Sequence, residues 1–201
     1  TNRSTRSRLR DSFALYWRPV SSSRVPSVSE LYCSGAGQPI ATLMGIWGRP
    51  SDPVKRIASQ NVRGLRDEYA DKQEALVDWA KTKHVYIACL QEVWRTGTKV
   101  QDNVHVHGMP TGWALITHGL QTAVCARGSQ GVGILLSPEA KVAWEKAGCD
   151  TFTFGDRILA VRLLLRDEKG RTVYTWIISA YAPVSSMTED IEVYLGHLQE
   201  C

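Results

Sequence analysis

The chain has 201 residues, of which 43% are hydrophobic and 22% charged, with a formal net charge of +4. This composition supports a folded core and excludes global disorder, and the length suits one domain, alone or with a tail. No apolar run reaches the ~18 residues a membrane helix requires, and the basic first residues lead into no apolar stretch of a secretory signal. No membrane partner is therefore expected. The small positive charge permits a polyanionic partner without requiring one. The five cysteines, Cys33, Cys89, Cys125, Cys149 and Cys201, include no C-x-x-C pair. Neither a structural zinc nor a disulfide frame is expected from them; reduced thiols in an intracellular protein are the plain reading.

Residues 1–54 differ in texture from the rest. Arg3, Arg6, Arg8 and Arg10 crowd the first ten positions, and Ser21 to Ser29 is rich in Ser and Pro. A segment of this kind buries little, so a flexible N-terminal stretch is expected. Three readings fit it: a nucleic-acid-binding arm using the four arginines, an organelle transit peptide, or a solvated tail. The chain begins at Thr1 and not at Met, so a piece of something longer is a further expectation. Ile40 to Trp47 has the content of a short strand, interrupted by Gly45 and stopped by Gly48 and Pro50.

From Lys55 the pattern becomes that of an α/β domain. A buried strand over 57–62 runs through Arg63-Gly64 towards a helix over 68–82, with Tyr69, Leu76, Trp79 and Ala80 on one face. An apolar strand over 84–90 follows. Strand, helix and strand at this spacing predict a parallel pair joined by a crossover. Residues 95–112 read as a polar loop. Short strands are expected at 113–117 and 122–126, and a buried strand at 131–136, stopped by Ser137-Pro138. Residues 139–147 read as a short helix or an irregular segment. Strands over 157–166 and 172–180 flank the Asp167-Glu168-Lys169-Gly170 turn, and an antiparallel hairpin is expected. Ser186-Met-Thr-Glu189 has the form of a capping box, and Ile191, Tyr194, Leu195 and Leu198 behind it keep helical spacing.

Three of the apolar runs stop on a polar residue: Asn61, Glu92 and Tyr181. Polar groups at the ends of buried strands are how many sheet-based sites are assembled. Glu92 is a hard oxygen donor suited to magnesium, which takes one or two carboxylates and keeps waters for a substrate phosphate. Asn61 can turn its amide oxygen towards a metal shell or its NH2 towards a phosphate. Tyr181 can donate a hydrogen bond to a phosphate oxygen as charge develops there. Taken singly, each also has an ordinary structural role: turn residue, strand-edge carboxylate and packing aromatic.

Five segments together carry a more specific signal. They are Gln60-Asn61-Val62-Arg63-Gly64-Leu65, Cys89-Leu90-Gln91-Glu92-Val93-Trp94, Gly131-Val-Gly-Ile-Leu-Leu-Ser137-Pro138, Asp156-Arg157-Ile158-Leu159, and Ser179-Ala180-Tyr181-Ala182-Pro183. In this order they resemble the endonuclease/exonuclease/phosphatase superfamily. The middle segments are most similar to the endonuclease domains of non-LTR retrotransposons and to related craniofacial development protein 2-like sequences. The resemblance implies a four-layered α/β sandwich, two packed sheets flanked by helices, with its C-terminal part missing. It implies hydrolysis of a phosphodiester with Mg2+, or with Mn2+ in its place. DNA is then the favoured substrate, and the nucleus the favoured compartment. Carried over, Asn61 belongs to the metal and phosphate network, Glu92 binds the metal, and Tyr181 contacts the phosphate. Arg157 lies on a family-typical strand and receives no catalytic role.

The resemblance covers residues 55–201 and stops short of two motifs that the family also uses, Gly-Asp-x-Asn and Ser-Asp-His, neither of which is in this sequence. Gly155-Asp156-Arg157 lacks the Asn, and none of His84, His105, His107, His118 and His197 follows Ser-Asp. His105-Val-His107 has the spacing of a zinc pair but no evident third ligand. Truncation is the simplest expectation, leaving Trp176, Ile177 and Ile178 short of cover and the isolated chain inactive and prone to aggregate. Three functions remain open: an incomplete DNA endonuclease, a phosphatase or phosphodiesterase of the same superfamily, and a degenerate module that binds nucleic acid without cleaving it.

Overall fold

The structure is a computed structural model. It describes the backbone of residues 13–16 and 44–47, and residues 55–65, 70–119, 131–167, 169–182, 193–194 and 196–197. The elements in chain order are β1 (Phe13–Tyr16), β2 (Met44–Trp47), β3 (Lys55–Asn61), α1 (Ala70–Thr82), β4 (Val85–Gln91), β5 (Lys99–Gln101), β6 (His105–Val106), β7 (Met109–Pro110), β8 (Ala114–His118), β9 (Val132–Leu136), α2 (Pro138–Lys146), β10 (Thr151–Phe154), β11 (Ile158–Arg166) and β12 (Thr172–Ala180). Residues 193–194 and 196–197 are also helical.

These elements make a sheet-dominated α/β fold. One sheet has six strands in the order β2-β3-β4-β9-β8-β5, and another has four in the order β1-β12-β11-β10. β3 and β4 are parallel, as the α1 crossover requires, and the other pairs are antiparallel. All seven residues of β4 are buried, because this strand sits inside the larger sheet with both of its faces covered.

Strand alternation sorts the side chains into three apolar layers. Ile87, Cys89, Ile116, Ile134 and Leu136 from the larger sheet meet Leu159, Val161, Leu163 and Ile177 from the smaller one. Ala88, Leu90, Leu115 and Leu135 point the other way, against Leu76, Val77 and Ala80 of α1. Ile158, Ala160, Ile178 and Ala180 lie on the far face of the smaller sheet and pack with Tyr194. α1 thus buries Gln73, Leu76, Val77 and Ala80, an i, i+3, i+4, i+7 set. α2 inserts Ala140, Ala143 and Trp144 into the layer between the sheets.

Several expectations need adjusting. The 95–112 segment is not simply a loop: it contains β5 and the small β6–β7 ribbon, whose strands are too short to show a period. Residues 139–147 resolve in favour of a helix. Ser137 caps it, its hydroxyl accepting from Ala140 N–H at 3.2 Å, with Pro138 just inside the helix where no amide donor is needed. β10 was not anticipated. The 157–166 and 172–180 hairpin is observed, with Ile158 opposite Ala180 and Arg166 opposite Thr172. Ile177 and Ile178 are buried in this chain, contrary to the expected lack of cover, because the larger sheet covers one and the packing around Tyr194 covers the other; Trp176 is half-buried. Tyr69, the 122–126 strand, the Ser186–Glu189 capping box, and Ile191, Leu195 and Leu198 lie outside the described residues.

Candidate active site

The site is built where β3, β4 and β12 end. In the parallel β3–β4 pair Asn61 sits opposite Gln91, so the next residue, Glu92, comes alongside Asn61. The two segments stay zipped past their strands. Val62 N–H donates to Gln91 O at 3.0 Å, Gly64 N–H to Glu92 O at 2.7 Å, and Leu65 N–H to Val93 O at 2.8 Å. Both chains must turn here to keep these bonds. Arg63, Glu92 and Trp94 take left-handed φ values of 48°, 56° and 57°. Such a conformation costs a non-glycine residue roughly 1–2 kcal/mol and persists only where the surroundings enforce it. Gly64, at φ 100°, is enforced by space as well: a Cβ there would come 2.5 Å from Trp94 Cε3.

Glu92 is 1% exposed. A buried carboxylate needs donors, and two reach the same oxygen. Asn61 Nδ2 donates to Oε1 at 2.9 Å, and Tyr181 OH donates to it at 3.0 Å. The other end of the Asn61 amide is also engaged, since Arg63 N–H donates to Oδ1 at 3.2 Å. That bond fixes the orientation of the amide, because a backbone N–H can face only the oxygen. In this arrangement Asn61 acts on Glu92 as a hydrogen-bond donor.

Tyr181 comes from the opposite sheet. Its N–H donates to Arg157 O at 3.0 Å, and the Arg157 guanidinium lies 5.8 Å from the centre of its ring. Beneath the site the two sheets are joined by further polar contacts. Ser179 Oγ donates to Leu90 O at 3.1 Å and the Cys89 thiol to Ile178 O at 3.7 Å. Gln91, fully buried, donates from Nε2 to Ser59 Oγ at 3.2 Å. Burial pushes the Cys89 thiol up to about 12, so it is a protonated donor and not a nucleophile.

Asn61, Glu92 and Tyr181, singled out from sequence, are thus brought together. Arg3, Arg6, Arg8 and Arg10 lie outside the described residues. His107 does not join His105 around a metal-like centre; it pairs with Glu74 of α1, Nδ1 to Oε2 at 3.2 Å. Among the described residues no group of three or more His, Cys, Asp and Glu side chains could hold a metal ion. Among the described residues, a cation here would rest on the carboxylate of Glu92, a hard oxygen donor of the kind magnesium takes. Sequence reasoning passed over Gln91, Ser179 and His118. Gln91 and His118 each close an apolar strand, a position that sequence can see, but the partners they reach are not legible from it.

No protein-family model matches the chain, and no curated protein matches it either.

Proposed function

We propose that these residues form part of the site of a magnesium-dependent phosphodiester hydrolase of the endonuclease/exonuclease/phosphatase type, with DNA as the substrate class. The fold in this reading is the four-layered α/β sandwich, its layers being α1, the six-stranded sheet, the four-stranded sheet and the helical residues around Tyr194. The observation that carries the reading is the convergence of Asn61 Nδ2 and Tyr181 OH on one oxygen of Glu92, from three segments far apart in the chain.

Glu92 would hold the Mg2+ (or Mn2+), which supplies Lewis acidity at a bound phosphate. The protein groups have separate tasks. Asn61 holds the carboxylate in place through one end of its amide while its other end anchors the turn at Arg63. Tyr181, already oriented by its bond to Glu92, is a neutral donor that can turn to a phosphate oxygen as negative charge develops on it. Arg157, 3.8 Å from Asp156 Oδ1, packs beside the Tyr181 ring and helps hold it in place.

Nothing in the 201 residues matches Gly-Asp-x-Asn or Ser-Asp-His, which orient the nucleophile and complete the site in the family. The chain by itself is therefore proposed to bind metal and not to cleave. The absence of both motifs from these residues also supports a second reading, a module that binds nucleic acid without catalysis. Two assays separate these readings. Mn2+ added to the labelled protein should broaden the Asn61 side-chain amide and Tyr181 ring signals, and Glu92→Gln should abolish the effect. Supercoiled plasmid with Mg2+ should remain intact with both the parent and Glu92→Ala. Absence of Mn2+ binding leaves only the non-catalytic reading. Nicking that requires Glu92 would mean that a working site assembles without the two motifs.

A further inference from the structure

His118 closes β8 on the larger sheet and is 5% exposed. Each ring nitrogen has one partner. Nε2 lies 2.7 Å from the carbonyl oxygen of Gly155, and Nδ1 lies 2.8 Å from Thr98 Oγ1. A carbonyl only accepts, so Nε2 carries the proton. In the neutral ring Nδ1 then accepts from the Thr98 hydroxyl, and the tautomer is fixed by its neighbours. The Thr98 end is itself secured: Gly97 and Gly119, next to Thr98 and His118, exchange backbone hydrogen bonds at 3.2 and 3.3 Å.

Gly155 belongs to the other sheet. It lies, at φ 57°, in the turn between β10 and β11, two residues before Arg157. The Arg157 carbonyl accepts the Tyr181 amide at 3.0 Å, its guanidinium lies beside the Tyr181 ring, and Tyr181 OH reaches Glu92 at 3.0 Å. One continuous route of bonded groups therefore runs from the larger sheet through His118 to the 155–157 turn, on to Tyr181, and back to the larger sheet at Glu92. A carbonyl clamped at 2.7 Å by a buried ring leaves that turn little freedom.

We infer that His118 is a positioning residue for the Tyr181 hydroxyl: it clamps the 155–157 turn so that Tyr181 meets Glu92. The value of this for phosphodiester chemistry rests on the proposed function, whereas the clamp itself does not. A side chain of equal bulk without the Nε2 donor should loosen the turn and release the phenol from the carboxylate. Glutamine can place an amide N–H near the position of Nε2 and should restore the contact.

The test is NMR of the full chain labelled at tyrosine Cζ, with the Tyr181 resonance assigned through Tyr181→Phe and the effect of a lost partner calibrated by Glu92→Gln. His118→Leu is expected to move the Tyr181 resonance in the direction set by Glu92→Gln and to weaken Mn2+ binding about tenfold, as loss of an outer supporting partner does. His118→Gln is expected to return both towards the parent values. A folded His118→Leu with an unmoved Tyr181 resonance overturns the inference. If that variant does not fold, Thr98→Val decides: it removes only the second anchor, and a smaller shift in the same direction supports the clamp while no shift overturns it. If the parent binds no Mn2+ but Tyr181 still responds to His118→Leu, the clamp stands and the metal-site reading falls.

Discussion

The two ends of the paired sheets are held together differently. At the end where β3, β4 and β12 finish, side chains cross between the sheets as hydrogen bonds: Tyr181 to Glu92, Ser179 to Leu90 O, and His118 to Gly155 O. Towards the β11–β12 hairpin the contact is apolar, and the turn is secured within itself. Asp167 accepts from the amides of Lys169 and Arg171 at 2.9 and 2.8 Å and from Arg171 Nε at 2.8 Å. Hydrogen bonds have direction and apolar contacts do not. The first end is therefore built to hold a few atoms in fixed relation, and the second to hold a shape. The first end is also the one that carries Asn61, Glu92 and Tyr181.

Breaking the apolar part should have the largest effect. Ile134 is fully buried between the sheets, and Ile134→Ala should destabilise the chain by about 2–5 kcal/mol in urea unfolding. A loss below about 1 kcal/mol would mean that the sheets are not packed as described.

Alkali tests the junction of the two regions. Burial pushes Cys89 from 9.0 up to about 12, and burial together with the negative charge of Glu139 pushes Tyr86 from 10.0 up to about 12. Both groups are neutral when protonated, and both have folded values above their unfolded ones. Their contribution is complete below the unfolded values and is lost as pH rises from about 9 towards 12. The urea midpoint should fall across that window. Cys89→Ala should flatten the part of the slope that starts first and leave the Tyr86 part in place. An identical slope in Cys89→Ala would show that Cys89 is not buried as a thiol.

The hydrogen-bonded end should respond more to chemistry than to volume. Tyr181→Phe keeps the ring and removes a donor that reaches Glu92 Oε1 beside Asn61. A buried carboxylate that loses a donor should cost about 1–3 kcal/mol. Asn61→Ala should fall in the same range, and the double variant should depart from additivity because both residues act on one oxygen. Strict additivity would mean that the two donors do not share an acceptor.

How much of this was legible in the sequence follows the same division. β4 and β9 are continuous apolar runs because both faces of each are covered, and such runs are visible without partners. Asn61, Glu92 and Tyr181 stood out because each ends such a run. β10 did not, because four residues with both Phe152 and Thr153 exposed have neither a run nor a clear period. Ser137-Pro138 was visible as a strand stop, although the same pair also opens α2. His118 was hidden for another reason. Its partners lie 20 and 37 residues away, and no local pattern reports a contact of that range. The orientation of Asn61 was equally closed to sequence, since it depends on which amide atom the Arg63 N–H finds.

The smallest effect is expected on the outer face of the smaller sheet, where Tyr174, towards the hairpin, is 55% exposed. Arg162 spans this face. Its guanidinium stacks 4.6 Å from the Tyr174 ring centre and 5.6 Å from that of Trp176, and it pairs with Asp150. Tyr174→Ser removes the more exposed of these rings. It should lose the stacking with Arg162, leave the Asp150 pair in place, and change stability by no more than about 0.5–1 kcal/mol, the value of a cation–π contact at an exposed site. The Tyr181 resonance should stay where it is, because no hydrogen bond on the route through His118 involves this face. A shift of Tyr181 in Tyr174→Ser would show that the two ends of the sheets are mechanically joined, and the contrast between them would fail at its most exposed point.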